Sequence, residues 1–163
     1  MPLGKPDFSS RLRSSFEKLS SSAQSLNTAT DELTKLAASF DVALKKLNLG
    51  IEAWVNIATG SDESGNRSYY DQLGYAKIAG KWGLALRQLE CDEHSGDEEI
   101  TQEWLFADAP RDLRVSAVSR LPELIQKLQE QVQLTNEHLS ETLQAARTFL
   151  AVVNELSGPE VKK

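Results

Sequence analysis

The chain has 163 residues, of which 40% are hydrophobic and 26% charged, with a formal net charge of −6 at pH 7. This composition is ordinary for a globular protein with its own core, so we expect residues 1–163 to form a single domain. The excess of acidic residues argues against nucleic-acid binding, and the absence of an apolar run of ~18 residues argues against a membrane span.

A heptad pattern predicts one long helix over residues 7–49. Apolar residues, interrupted only by Thr30, recur at alternating steps of four and three from Leu12 to Leu47. This spacing has the period of 3.5 that is typical of coiled coils. At 1.5 Å per residue the helix would be ~60 Å long.

The period changes to two after this helix, which predicts an antiparallel β-meander over residues 51–106. The dipeptide Ala79-Gly80 is typical of a two-residue hairpin turn between two of its strands. The other connections are polar and too short for a parallel crossover, so the sheet should be antiparallel. The four predicted strands span residues 51–58, 73–78, 81–90 and 99–106.

A second heptad pattern predicts a short helix over residues 109–121 and a long helix over residues 122–157. The two should be separated at Pro122, because proline cannot donate the backbone hydrogen bond and its ring crowds the preceding turn. Residues 1–6 and 158–163 are expected to be flexible ends.

The two long helices are predicted to form an antiparallel hairpin, because a meander returns the chain close to where it left. The predicted fold is therefore α+β, a long heptad-patterned helical hairpin that brackets a small four-stranded β-meander. The preferred register places facing residues at numbers that sum to 172. It sets Ala23 against Phe149, so that a small side chain faces a large one, and Thr30 against Thr142. A slip of one heptad, summing to 165, sets Thr30 against Thr135 instead.

Four leucines beside the heptad seam predict a further interface. A two-stranded seam would leave them in water, whereas a bundle helix buries a wider face. A second copy could cover them in a four-helix homodimer, and the protein's own sheet is the alternative. We expect the homodimer, with an interface that includes Leu36, Leu124, Leu143 and Leu150.

Residues that carry chemistry are sparse, so we expect neither an enzyme nor a cofactor. Cys91 and His94 lie three residues apart in an acidic loop, but structural zinc sites bring four Cys or His ligands in two spaced pairs. The chain has one cysteine and two histidines in all. No nucleophile motif, phosphate loop or dinucleotide fingerprint occurs in it. We therefore predict no catalytic residue and no metal ligand.

Negative charge and aromatic residues concentrate in the middle of the chain, which predicts a recognition surface there. Residues 50–110 contain twelve Asp and Glu against four Lys and Arg, together with every tryptophan and tyrosine. Trp54 has the opposite parity from Val55, so Trp54 and Tyr75 are predicted to lie on the outer face of the sheet, unless both faces are covered. Such a surface would suit a basic protein or peptide. The predicted partner-binding residues are Trp54, Tyr75, Glu90, Asp92, Glu93 and Glu98.

These observations predict a non-catalytic protein–protein interaction or adaptor module. Its helices would set the oligomeric state, and its acidic, aromatic-rich sheet would bind the partner. Two alternatives stay open, a small-molecule or cation-binding sensor domain in which Cys91 and His94 would be tested first, and a structural subunit of a larger assembly. The single cysteine and an N-terminus without an apolar signal stretch favour a cytoplasmic location.

Overall fold

The computed structural model describes residues 8–158, which form three α-helices and a four-stranded sheet. The predicted α+β class is confirmed. The predicted helix start at residue 7, the predicted flexible end at residues 1–6 and all but residue 158 of the predicted flexible end at residues 158–163 lie outside the described residues. Within residues 8–158 no helix is long and apolar enough to cross a membrane. In chain order the elements are α1 (Phe8–Leu47), β1 (Ala53–Ser61), β2 (Arg67–Ile78), β3 (Lys81–Asp92), β4 (Glu98–Leu105), a 3-10 turn (Phe106–Asp108), α2 (Arg111–Val118) and α3 (Leu121–Leu156).

The sheet is an antiparallel meander in the order β1-β2-β3-β4, as the alternating sequence pattern predicted. Ala79 and Gly80 form the turn between β2 and β3, both with positive φ angles of 47° and 83°. Two positive φ angles are typical of a type I′ hairpin turn. β2 begins at Arg67, earlier than predicted, because this central strand hydrogen-bonds to β1 and β3 over its polar residues too.

The core lies between one face of the sheet and the three helices. Leu73 faces Leu86 and Tyr75 faces Leu84 across the β2–β3 ladder, and all four side chains are buried. Trp82 and Trp104 pack at the margin of this cluster. The helices cover the same face with apolar residues from α1, α2 and α3, namely Ala37, Leu44, Leu113, Ala117, Leu124 and Leu128.

The predicted helix break at Pro122 is confirmed. α2 ends at Val118, and α3 begins at Leu121 with Pro122 in its first turn, where a missing N–H costs nothing. α2 packs on α1, β2 and β3. The Arg114 Nη1 atom donates to the Thr34 hydroxyl of α1 at 2.7 Å, which ties the two helices together.

The predicted helical hairpin is not confirmed. α1 packs on β3, α2 and the 3-10 turn, α3 packs on β1 and β2, and within residues 8–158 the two long helices make no extensive contact with each other. Leu44 and Leu128, which the register of 172 set face to face, are both buried against the sheet core. Neither the register of 172 nor that of 165 is therefore confirmed. α2 and the sheet cover the seam residues nearest the sheet, and the seam residues farther along both helices, such as Leu12 and Phe149, are exposed.

Asp41 of α1 accepts a hydrogen bond from the part of β3 that β4 does not reach. β4 ends at Leu105, opposite Ala85, so the next part of β3 has no β4 partner. There the Asp41 Oδ1 atom accepts the backbone N–H of Leu84 at 2.8 Å, and Lys45 Nζ lies 2.5 Å from the other carboxylate oxygen. An unpaired buried N–H is costly, so this contact fixes where α1 crosses the sheet.

We expect the buried Tyr75 ring to make the protein less stable at alkaline pH. Burial raises the pKa of Tyr75 above its ordinary value of 10.0, and the Asp41 carboxylate adds to the shift. Above pH 10 the unfolded chain therefore releases this proton while the folded chain keeps it, so the free energy of unfolding falls as pH rises, by at most about 1.4 kcal/mol per pH unit. Tyr75→Phe should show a shallower fall between about pH 10 and pH 11 in urea titrations. Equal slopes in the two proteins would contradict this expectation.

Candidate interaction surfaces

Both long helices extend beyond the sheet as exposed segments. We call residues 8–29 of α1 the α1 arm and residues 133–156 of α3 the α3 arm. Every residue of the α1 arm is exposed, and every residue of the α3 arm except the half-buried Val153 is exposed too. At 1.5 Å per residue the arms are ~33 Å and ~36 Å long.

Each arm carries an apolar stripe in water. On the α1 arm, Leu12, Phe16 and Leu19 lie on one helix face and are 59%, 68% and 64% exposed. The α3 arm carries a longer and wider stripe. Exposed apolar patches of this extent are typical of interaction sites rather than of free surface. The exposed apolar side chains of the α3 stripe include Leu139, Leu143, Phe149, Leu150 and Leu156.

The composition of the α1 arm is poorly suited to an isolated helix. Eight of its 22 residues are serine, and serine competes with the helix by hydrogen-bonding to the backbone in other conformations. Most helices in proteins owe their stability to the packing of an apolar face rather than to propensity. The composition of the α1 arm is therefore typical of a helix that owes its stability to the packing of its apolar face.

Three of the four leucines predicted at an oligomer interface are accessible. Leu36, Leu143 and Leu150 are exposed, but Leu124 is 0% exposed and belongs to the sheet core. The prediction for Leu124 is wrong, because the first turns of α3 lie over β1 and β2. At Leu124, the protein's own sheet covers the side chain, which was the alternative to a second copy.

The outer face of the sheet carries Trp54, as predicted. Trp54 pairs with Gly74 across the β1–β2 ladder, while its neighbour Ala53 pairs with the buried Tyr75, so the indole lies on the face away from the helices. The guanidinium carbon of Arg87 lies 4.0 Å from the centre of the Trp54 ring, a cation–π contact. Arg87 Nε in turn donates to the Gln72 side chain at 2.8 Å. Burial lowers the pKa of Arg87 from its ordinary value, and nearby carboxylates oppose that shift.

Tyr75 does not lie on this outer face. It is 2% exposed, and its ring stacks on Trp82 with the ring centroids 5.6 Å apart. The predicted outer-face position is wrong because Tyr75 shares its parity with Leu73, which points into the core. That two-residue spacing was the sequence signal that could have placed it.

The four predicted acidic residues lie at the end of the sheet away from the Ala79-Gly80 turn. The Glu90 carboxylate lies 3.3 Å from Arg67 Nη1, within the sheet. Glu98 faces Cys91 across the β3–β4 ladder. Glu90 and Glu98 thus form an acidic rim at this end, but Glu98 lies on the outer face of the sheet, whereas Glu90 shares the parity of Leu86 and lies on the helix-facing side beside Arg67.

Asp92 and Glu93 have roles in the turns. The Asp92 Oδ1 atom accepts the backbone N–H groups of His94 at 2.8 Å and Ser95 at 3.2 Å. These hydrogen bonds lower the pKa of Asp92 from its ordinary value. The Glu93 carboxylate accepts the Ser68 hydroxyl, and its backbone N–H donates to the carbonyl of Asn66 at 2.9 Å. Asp92 therefore holds its own turn in shape, and Glu93 joins the two polar turns together, roles that composition alone did not indicate.

Cys91 lies beside this rim. Partial burial raises the pKa of the Cys91 thiol, and the nearby Glu93 and Glu98 carboxylates raise it further. Within residues 8–158 no group of three or more His, Cys, Asp or Glu side chains is placed to hold a metal ion.

The sequence matches no family model, no curated protein and no solved structure. The arms and the outer face of the sheet are therefore the features of the molecule that bear on its function.

Proposed function

We propose that the protein is a non-catalytic protein–protein interaction module whose arms pack against helices of a partner chain. The exposed apolar stripe on each arm is the observation that supports this proposal. Full burial of a leucine or phenylalanine side chain contributes about 1.5–3 kcal/mol, and each arm leaves several such side chains in water.

The serine-rich composition of the α1 arm supports the same proposal. A segment with weak helix propensity gains helical structure when a partner covers its apolar face. Binding and helix formation are then coupled, so the arm folds fully in the complex. In this proposal the sheet is a rigid head that positions the arms.

The outer face of the sheet is the proposed second surface, for a basic protein or peptide. Trp54 is half-buried there, and Glu98 contributes an acidic group at one end. Glu90 has no part in it because it shares the parity of Leu86, on the helix-facing side of the sheet. Tyr75 has no part in it because its ring is buried. We place this module in the cytoplasm, where the lone Cys91 thiol would stay reduced.

Substitution of serine for three stripe residues together, Leu12, Phe16 and Leu19, should abolish association through the α1 arm. Each substitution removes an apolar side chain of the stripe, and the three together should weaken the complex by at least about a thousandfold. Native mass spectrometry should give a mass above 18.0 kDa for the protein captured gently from its own cells, and 18.0 kDa for the triple variant. The far-UV helix signal of the variant should also decrease.

The matched control changes three residues on the opposite face of the same arm. Alanine at Ser14, Ser21 and Ser25 raises helix propensity and leaves the apolar stripe intact, so association should persist. A wild-type protein that stays at 18.0 kDa while its α1 arm resists amide exchange would contradict the proposal. A complex of many subunits would instead favour the second candidate, a structural subunit of a larger assembly, which the exposed arms also fit.

A further inference from the structure

We propose that the partner of the α1 arm is the α3 arm of a second copy of this chain, so that two chains exchange arms in a homodimer. This inference rests on the proposed function and names its partner. Three features of the arms support it, their charge, the shape of their stripes and their separation within one chain.

The two arms carry opposite charge. On the α1 arm, Arg11, Arg13 and Lys18 outweigh Glu17, which leaves a net charge of +2. On the α3 arm, three glutamates outweigh Arg147, which leaves −2. Two α1 arms or two α3 arms side by side would repel each other, whereas an α1 arm beside an α3 arm attracts. The glutamates are Glu137, Glu141 and Glu155.

The stripes also fit each other in shape. In the antiparallel register that sums to 172, Ala23 faces Phe149 and Leu26 faces Ala146, so a small side chain meets a large one at each of these levels. All four residues are exposed in the single chain and therefore open to a partner.

The two arms of one chain are held apart by the fold. α1 leaves its cover at Thr30, beside β3 and α2, whereas α3 leaves the sheet beside β1 and β2. α2 packs on α1 as well as on β2 and β3, and the long helices make no extensive contact with each other within residues 8–158. A two-fold axis between two chains brings each α1 arm to the partner's α3 arm. The same contact then occurs twice in the dimer, and the assembly is closed.

The α3 stripe is wide enough for this arrangement. Leu143 and Leu150 lie beside the heptad seam and are exposed, so the α3 arm presents more apolar surface than one neighbouring helix covers. In a four-helix dimer each α3 arm contacts the partner's α1 arm, and Leu143 and Leu150 meet the partner's α3 arm across the two-fold axis, away from the three glutamates on the opposite helix face. The narrower α1 stripe then packs on the partner's α3 arm, and the serine-rich face of the α1 arm lies on the outside of the bundle.

Cysteine cross-linking tests the exchange. In a Cys91→Ser background, one chain carries Leu26→Cys and a differently tagged chain carries Ala146→Cys. Mixing and mild oxidation should give a disulfide between the two tagged chains. Ser25→Cys, one residue away and off the stripe, should give at least about tenfold less of it with Ala146→Cys, because disulfides need close Cβ atoms.

The outcomes separate this inference from the proposed function. A chain with both cysteines that oxidises to a cross-linked dimer supports the exchange, and one that gives an internally linked monomer overturns it. A dimer linked only through two copies of Leu26→Cys also overturns it, but leaves the proposed function intact. An uncross-linked protein at 18.0 kDa in solution overturns the second copy as the partner. The capture experiment with the triple serine variant then decides the proposed function by itself.

A charge-swap pair tests the inference without any cysteine. One chain carries glutamate at Arg11, Arg13 and Lys18, and the other carries lysine at the three α3-arm glutamates. Each chain alone would bring like charges together, whereas the mixture restores opposite charges at both exchanged contacts. The mixed dimer should form at least about tenfold more tightly than either homodimer, with both chains folded by circular dichroism. Equal affinities would overturn the exchange.

Discussion

Leu124→Ala should lower the free energy of unfolding by about 2–5 kcal/mol, a large effect for a single substitution. The Leu124 side chain is 0% exposed, in the core that α3 forms with the sheet. Its removal loses the transfer free energy of the side chain and leaves a cavity that the surrounding strands cannot close. Urea unfolding followed by tryptophan fluorescence measures the change, with an unchanged slope showing that two-state unfolding persists.

Leu134→Ala is the matched control, because it makes the same chemical change farther along α3. Leu134 is 59% exposed and lies off the apolar stripe, so the free energy of unfolding should change by less than about 0.5 kcal/mol. If Leu124 were an interface residue, as the sequence predicted, its substitution would dissociate the assembly and so lower its measured mass. The effect on stability would then depend on protein concentration. A concentration-independent loss of stability distinguishes the core position from the interface position.

The elements could be predicted from the sequence because their signals are local. The change of period from 3.5 to two marks the place where helix ends and strand begins. Pro122 and Ala79-Gly80 mark a helix boundary and a hairpin turn through their own backbone geometry. These constraints act within a few residues, so they hold whatever the rest of the chain does. The α+β class and the meander follow from them.

The partners of the helices could not be predicted, because a heptad shows that one helix face is covered and not what covers it. Leu44 and Leu128 satisfy the pattern equally well against the sheet, where both are buried. Thr30 illustrates the same point. Its hydroxyl donates to the carbonyl of Leu26 at 2.7 Å, so it is satisfied inside its own helix and needs no facing threonine.

The candidate recognition surface was predicted in part, for a related reason. Parity placed Trp54 on the outer face, but the same rule applied to Leu73 would have placed Tyr75 inside. From the sequence alone Asp92 is one more acidic residue in a polar loop. In the fold, the turn directs two backbone N–H groups at its carboxylate. Such a role depends on the path of the backbone through the turn, which residue types do not specify.

Gly74→Ala should lower the free energy of unfolding by about 1–3 kcal/mol, the second of the large effects. A Cβ atom at Gly74 would lie 2.3 Å from the Trp54 ring, far inside contact distance. The indole must then swing away from β2 and lose its stack on Arg87. Urea unfolding measures the loss, and a change in tryptophan fluorescence would report the displaced ring.

Gly60→Ala is the control for the glycine itself. Gly60 also lies in a strand, and a Cβ atom there would meet nothing within 4 Å. Alanine restricts the unfolded chain more than glycine, so this variant should be neutral or slightly more stable. A loss comparable to that of Gly74→Ala would show that the strand backbone, and not the indole, makes the substitution costly.

A double-mutant cycle connects this effect to the outer face. In a Trp54→Ala background the overlap is gone, so Gly74→Ala should cost close to nothing, and the difference from its cost in the wild type is the coupling between the two positions. A large coupling means that β2 carries glycine at this position because the indole lies flat across it. The Trp54 ring is then fixed in place by the sheet beneath it and by Arg87 above it, which is the rigidity expected of an aromatic group that anchors a partner.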